Sequence, residues 1–145
     1  MQITDIIARS WGWTGIQPLE VISENDFGNL IVRDLQDQYW RVCPEDLYCK
    51  VVATSRTALD ALGKDQEFQQ DWNMAALVEQ ARMTVGSLEP GRKYCLKIPG
   101  LLGGEYGGDN LASISLVELI QSSGHIAFQV KDLADGSQVR FRIGE

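Results

Sequence analysis

Apolar residues along the 145-residue chain follow two periods, and the switches between them divide it into segments. Near the start, Ile3, Ile6 and Ile7 share one side of a helix over residues 3–10 that Gly12 ends, with Trp11 and Trp13 anchoring it to the body. From Leu19 the pattern shortens to β-branched and aromatic stretches, LEVISEND, FGNLIVRDL, QYWRVCP and LYCKVVAT, separated by acidic or Gly/Asn punctuation. Such spacing predicts an antiparallel meander. Its centre is a hairpin of Asn29 to Asp34 and Gln38 to Cys43, after which Pro44-Glu45-Asp46 turns the chain into a strand over Leu47 to Ala53.

Helical spacing then returns. Ser55 is placed to cap RTALDALG, which Gly63 ends, and a longer helix is predicted from about Gln66 to Val85. In it Met74, Leu77, Val78, Ala81 and Val85 recur at spacings of three and four, Phe68 and Trp72 extend the buried side, and Gly86 follows. Residues 93–98 (KYCLKI) form a strand, and GLLGGEYGGD, with five glycines, is a shaped loop. Ser115 and Glu118 match a capping box ahead of a helix that carries Leu116, Leu119, Ile120, Ser123, Ile126, Ala127 and Val130 on one face. Asp135-Gly136 turns into a last strand, Gln138 to Ile143. The pattern predicts one α+β domain over residues 1–145, an antiparallel sheet packed on one side by two long helices, with no repeat and no linker.

Charge narrows the function. Thirteen Lys and Arg against 20 Asp and Glu leave a net charge of -7, and Arg92-Lys93 is the only adjacent basic pair. A phosphate backbone or an anionic membrane is therefore a poor partner, and a basic protein a better one. No apolar run approaches the roughly 18 residues of a membrane helix, and MQITDIIARSWGW lacks a secretory pattern, so a leaderless, cytoplasmic protein is expected. Cys43, Cys49 and Cys95 are an odd set without a C-x-x-C pair, read as buried apolar residues in a reducing compartment, with no metal and no cofactor expected.

Little catalytic chemistry is encoded. His125 is the single histidine, which excludes every two-histidine mechanism, and it falls on the polar side of the last helix beside Glu118, Gln121, Ser122 and Gln129. The glycine loop lacks a G-K-[ST] ending, and Glu105 and Asp109 would repel a phosphate. Glu105, Tyr106, Asp109 and Asn110 are still the most site-like cluster, because loops on a rigid scaffold commonly carry function. Acidic residues also collect in turns, where Asp34, Asp37, Glu45 and Asp46 are expected to be solvated and to steer a basic partner. Asp34, at a strand end, is the weakest of these four.

The run KIPGLLGGEYGGDNLASISLVELI and the ending KDLADGSQVRFRI resemble the C-terminal domain of bacterial immunity proteins paired with type VI secretion DNase effectors. GNLIVRDLQDQYWRVCPE and QDWNMAALVEQA are similar to the preceding half of these small, GAD-related proteins. The resemblance runs from about Phe27 to Ile143 and is most specific over 93–143, at Lys97-Ile98-Pro99, Gly103-Gly104-Glu105-Tyr106, Asn110-Leu111, Lys131-Asp132-Leu133 and Asp135-Gly136. It implies a non-enzymatic inhibitor that binds a cognate toxin, a nuclease effector, with no catalytic residue of its own. Independently, the net charge suits a basic partner, and Glu105, Tyr106 and Asp109 of the loop with the four turn acids are the partner-binding candidates. Two other readings are an enzyme that reverses a toxin's modification, with the glycine loop as its active site, and a small regulatory ligand-binding module.

Overall fold

The structure, a computed structural model, describes residues 1–133. Helix α1 (Ile3–Trp11) leads through a short helical turn to strands β1 (Pro18–Glu24), β2 (Leu30–Asp34), β3 (Tyr39–Cys43) and β4 (Tyr48–Ala53). Helices α2 (Arg56–Gly63), α3 (Gln66–Asn73) and α4 (Ala75–Val85) follow, then β5 (Arg92–Leu96), β6 (Leu111–Ser115) and α5 (Leu116–Val130). The four first strands form an antiparallel sheet in chain order, and β5 pairs with β6 in a second, two-stranded sheet. The class is α+β, as the periodicity predicts. The strand expected over 138–143 lies outside the described residues.

Strand alternation gives the large sheet two apolar faces. Leu30, Val32, Val42 and Cys49 pack with Ile6, Ile7 and Trp11 of α1 and Ile120 and Ala127 of α5. Ile31, Tyr39 and Ala53 face the other way, against Ala58 and Leu59 of α2 and Phe68 and Trp72 of α3. The sheet is thus covered on its second face as well. On the first face α1 and α5 cross closely at Gly124, where a Cβ would overlap the Ser10 carbonyl.

The single helix expected over Gln66 to Val85 is two helices. Met74 takes a left-handed conformation, φ 48°, between α3 and α4. The Trp72 carbonyl freed at this break accepts a hydrogen bond from Asn25 Nδ2 at 2.8 Å. The break serves packing: α3 lies on the large sheet, whereas Leu77, Val78 and Ala81 of α4 turn to Phe27, Tyr94, Leu96 and Leu111 beside the small one. Periodicity runs unbroken across the joint because both helices bury the same kind of stripe, against different sheets. The small sheet is fastened to the large one by Lys93 Nζ, which donates to Glu24 at 2.8 Å, and by the Tyr94 amide, which donates to the Asp26 carbonyl at 2.8 Å.

Candidate functional site

The glycine-rich segment joins β5 to β6 and is pinned at both ends by one side chain. Asn110 Oδ1 accepts from the Ile98 amide at 2.9 Å, and its Nδ2 donates to the carbonyls of Ile98 at 3.0 Å and Glu105 at 2.7 Å. Close approach requires glycine at 104, where a Cβ would overlap the Ile98 carbonyl, whereas one at Gly100 would displace the Tyr106 hydroxyl and ring. Leu102 packs into the core under α1 and α5, and Gln80 of α4 accepts from the Gly108 amide at 2.7 Å. The loop is therefore a braced ridge. Its exposed surface carries Ile98, Leu101, Glu105, Tyr106 and Asp109.

The Tyr106 hydroxyl donates to Asp46 Oδ1, joining the ridge to the turn after β3. Burial and this carboxylate together push the phenol well above its ordinary value, so Tyr106 stays a neutral donor. Of the sequence-predicted residues the structure thus brings together Asp46, Glu105, Tyr106 and Asp109. Asp37 stands at the opposite end of β3, exposed and paired with Arg33 Nη1 at 2.6 Å.

Asp34 and Glu45 correct the expectation that all four turn acids are solvated, for both are buried. Asp34 Oδ1 accepts from the amides of Gln36 at 2.8 Å and Gln38 at 2.9 Å, while Oδ2 accepts from Trp40 Nε1 at 2.8 Å. Burial alone would raise its pKa, but these three donors outweigh it and hold the carboxyl below its usual range. Glu45 receives Asn29 Nδ2 on both oxygens, at 2.9 and 2.8 Å, and desolvation prevails there, raising its pKa. Each carboxylate is occupied in holding its own turn.

Sequence reading missed the network behind Glu45. Asn29 Oδ1 accepts from Arg41 Nε at 3.0 Å, and Arg41 Nη1 donates to Asp71 on α3. The buried guanidinium also lies 5.3 Å from the Trp72 ring centroid and 5.9 Å from that of Phe68. An arginine between apolar strand positions was the available signal, since a buried cation needs partners. In sequence Asn110 is only one member of the loop cluster, because the carbonyls and amide it clamps are brought to it by the fold.

Cys43, Glu45 and Asp46 place three donor atoms within 4.8 Å of one another, the arrangement closest to a cation site among the described residues. Its chemistry argues against that use. Burial and the neighbouring acids push the Cys43 thiol far up, so it is not a thiolate, and both Glu45 oxygens are taken by Asn29. Burial likewise raises Cys49 to about 12 and Cys95 to about 11. His125 is exposed on α5. Away from the ridge, an open groove of about 690 Å³ lies between α2, α3 and the β1–β2 edge, floored by Ile22 and Ile31 and walled by Leu59, Phe68 and Trp72.

A family model described as T6SS immunity protein Tdi1, C-terminal, matches residues 53–127. That span is just over half the chain and includes α2 to α4, both small-sheet strands, the ridge and most of α5. Among solved structures, the crystal structure of Atu4351 from Agrobacterium tumefaciens is similar with a TM-score of 0.56 and 14% identity over 83% of this chain. The match covers 62% of that longer chain, and at this identity it speaks for the fold alone. No curated protein sequence matches significantly. Among the described residues, no helix is long and apolar enough to cross a membrane.

Proposed function

We propose that this chain, which belongs to the family of type VI secretion immunity proteins of the Tdi1 C-terminal type, neutralises a basic nuclease effector as a stoichiometric, non-enzymatic inhibitor in the cytoplasm. The observation that carries this reading is the ridge. Residues 98–110 contain Glu105, Tyr106 and Asp109 and no Lys or Arg, and the Tyr106 bond adds Asp46 to the same surface. A protein that binds nucleic acid must present cations, and an acidic, braced surface complements them without competing for phosphate. Asp37 stands apart at the far end of β3 with its charge met by Arg33, and Asp34 and Glu45 support the two turns from inside.

Two groups at the ridge are not poised as nucleophiles: Tyr106 is held neutral, and the Cys43 thiol beside Asp46 is kept protonated. Titrating effector activity against this chain tests the proposal. Full inhibition at one chain per effector, and about one-tenth of it at a tenth of that ratio, is expected for an occluding inhibitor that binds tightly. Full protection at the lower ratio would replace inhibition with enzymatic reversal.

A further inference from the structure

We infer that Leu101 is an apolar anchor that inserts into a pocket of the effector rimmed by Lys or Arg side chains. The inference rests on the inhibitor reading above and names the partner's local chemistry.

The adjacent leucines of the turn Gly100–Leu102 go opposite ways. Leu102 packs with the core, whereas Leu101 is 62% exposed. Ile98 and Tyr106, 44% and 49% exposed, flank it on the same braced loop. Water-exposed leucine contributes nothing to folding, and single instances are ordinary, but three large apolar residues exposed in one braced loop gain by being covered. Glu105 and Asp109 stand in the same loop and make no ion pair among the described residues. Lys97, at the foot of the loop, is the nearest cation in sequence. The occupant must therefore offer an apolar pocket to the leucine and cations to the two acids. A second copy of this chain would set carboxylates against carboxylates.

The bracing gives the surface its value. Asn110, the Gly104 contact and the half-buried Leu102 brace the loop before the partner arrives, so little ordering entropy opposes binding. Central apolar anchors in such interfaces dominate the dissociation rate, and rim charges the association rate.

The test is calorimetry and stopped-flow binding of the full chain to the toxin domain of its cognate effector. Leu101→Ser should weaken the complex about thirtyfold, mainly through faster dissociation. The double variant Glu105→Lys and Asp109→Lys should slow association and reduce its salt dependence. Both should melt with the wild type. A Leu101→Ser complex that matches the wild type within about twofold overturns the anchor, whatever the charge variant does, while leaving the inhibitor reading intact. No complex with the wild type overturns both. Should Leu101→Ser lose stability, a benzophenone cross-linker in place of Leu101 decides the matter: linkage to the toxin supports the anchor, and its absence overturns it. A wild-type dimer abolished by Leu101→Ser would assign the patch to a second copy instead.

Discussion

The two faces of the four-stranded sheet are covered by different means. Beneath α1 and α5 the contact is dry: Ile7, Trp11, Leu30, Val32, Val42 and Ile120 are all fully buried. Beneath α2 and α3 no helix residue is fully buried, and the apolar contacts of Ile31, Tyr39 and Ala53 are supplemented by the Arg41 guanidinium beside the stacked Phe68 and Trp72 rings, its pair with Asp71, and Asn25 on the end of α3. The groove lies on that side. A packed face resists change because each atom lost leaves a void, whereas a face joined at polar points opens locally at lower cost. The first face is the scaffold, with the ridge anchored to it through Leu102, and the second is the yielding side of the molecule.

Truncating one tryptophan on each face gives the sharpest contrast. Trp11→Ala should cost about 3–5 kcal/mol through lost transfer energy and a residual cavity. Trp72→Ala, at a half-exposed position, should cost roughly half of that, because water already reaches part of the ring. Leu119, buried on α5, should follow Trp11 at about 2–5 kcal/mol. Chemical denaturation measures all three. Equal losses at Trp11 and Trp72 would mean that both faces are cores of the same kind.

Arg41 probes how the second face is held. In Arg41→Met the stem is kept, but Asn29 Oδ1 loses its donor and Asp71 its partner. The loss should be about 1–3 kcal/mol, most of it the uncompensated buried carbonyl, since Asp71 can turn to water. Hydrogen exchange should quicken selectively in α3. Uniform acceleration that includes α5 would show the two faces unfolding as one unit and break the distinction.

This contrast also explains what the sequence revealed. Where burial is apolar and regular, as in α1, α5 and the β2–β3 hairpin, periodicity placed the elements and even the caps: Ser115 Oγ accepts from the Glu118 amide and Ser55 Oγ from the Ala58 amide. Where polar atoms carry the structure, periodicity was silent. The α3–α4 break rests on Met74 and a side-chain donor from Asn25, 47 positions away in the chain. Asp34 and Glu45 looked like any turn acids, because composition records a carboxylate but not the donors that surround it. Asp46 and Tyr106 were each nominated, yet their meeting across 60 positions is tertiary and had no local trace.

The buried carboxylates sit on opposite sides of the comparison and should respond to pH in opposite senses. Asp34 supports the first face through Trp40, which packs against that core. Its folded pKa is depressed, so its contribution is present above the unfolded value of about 4 and is lost as pH falls through the folded value. Asp34→Asn should cost about 1–2 kcal/mol at pH 7 and less in acid, where the wild type has lost the same charge-assisted bonds. A penalty that does not shrink on acidification, measured by denaturation at several pH values, would show that the hairpin depends on shape rather than on charge.

Glu45 belongs to the second face, through Asn29 and Arg41, and its effect should be the smallest. Its folded pKa is raised because burial outweighs the two hydrogen bonds from Asn29. The folded state therefore holds its proton more tightly than the unfolded chain does, and stability falls as pH rises from about 4.3 through the raised value, then levels off. Ionising the buried carboxylate is a cost offset by its hydrogen bonds, so Glu45→Gln, which removes the charge and keeps one acceptor, should change stability by less than about 1 kcal/mol. The informative quantity is the slope. Wild type should lose stability across the interval above pH 4.3 in which Glu45 ionises, and Glu45→Gln should lose less there, while Asp34→Asn keeps the wild-type slope in that interval. If Glu45→Gln were strongly destabilising at pH 7 and its slope unchanged, the hydrogen bonds from Asn29 to the carboxylate would be a principal support of the turn, and the second face would be held as firmly as the first.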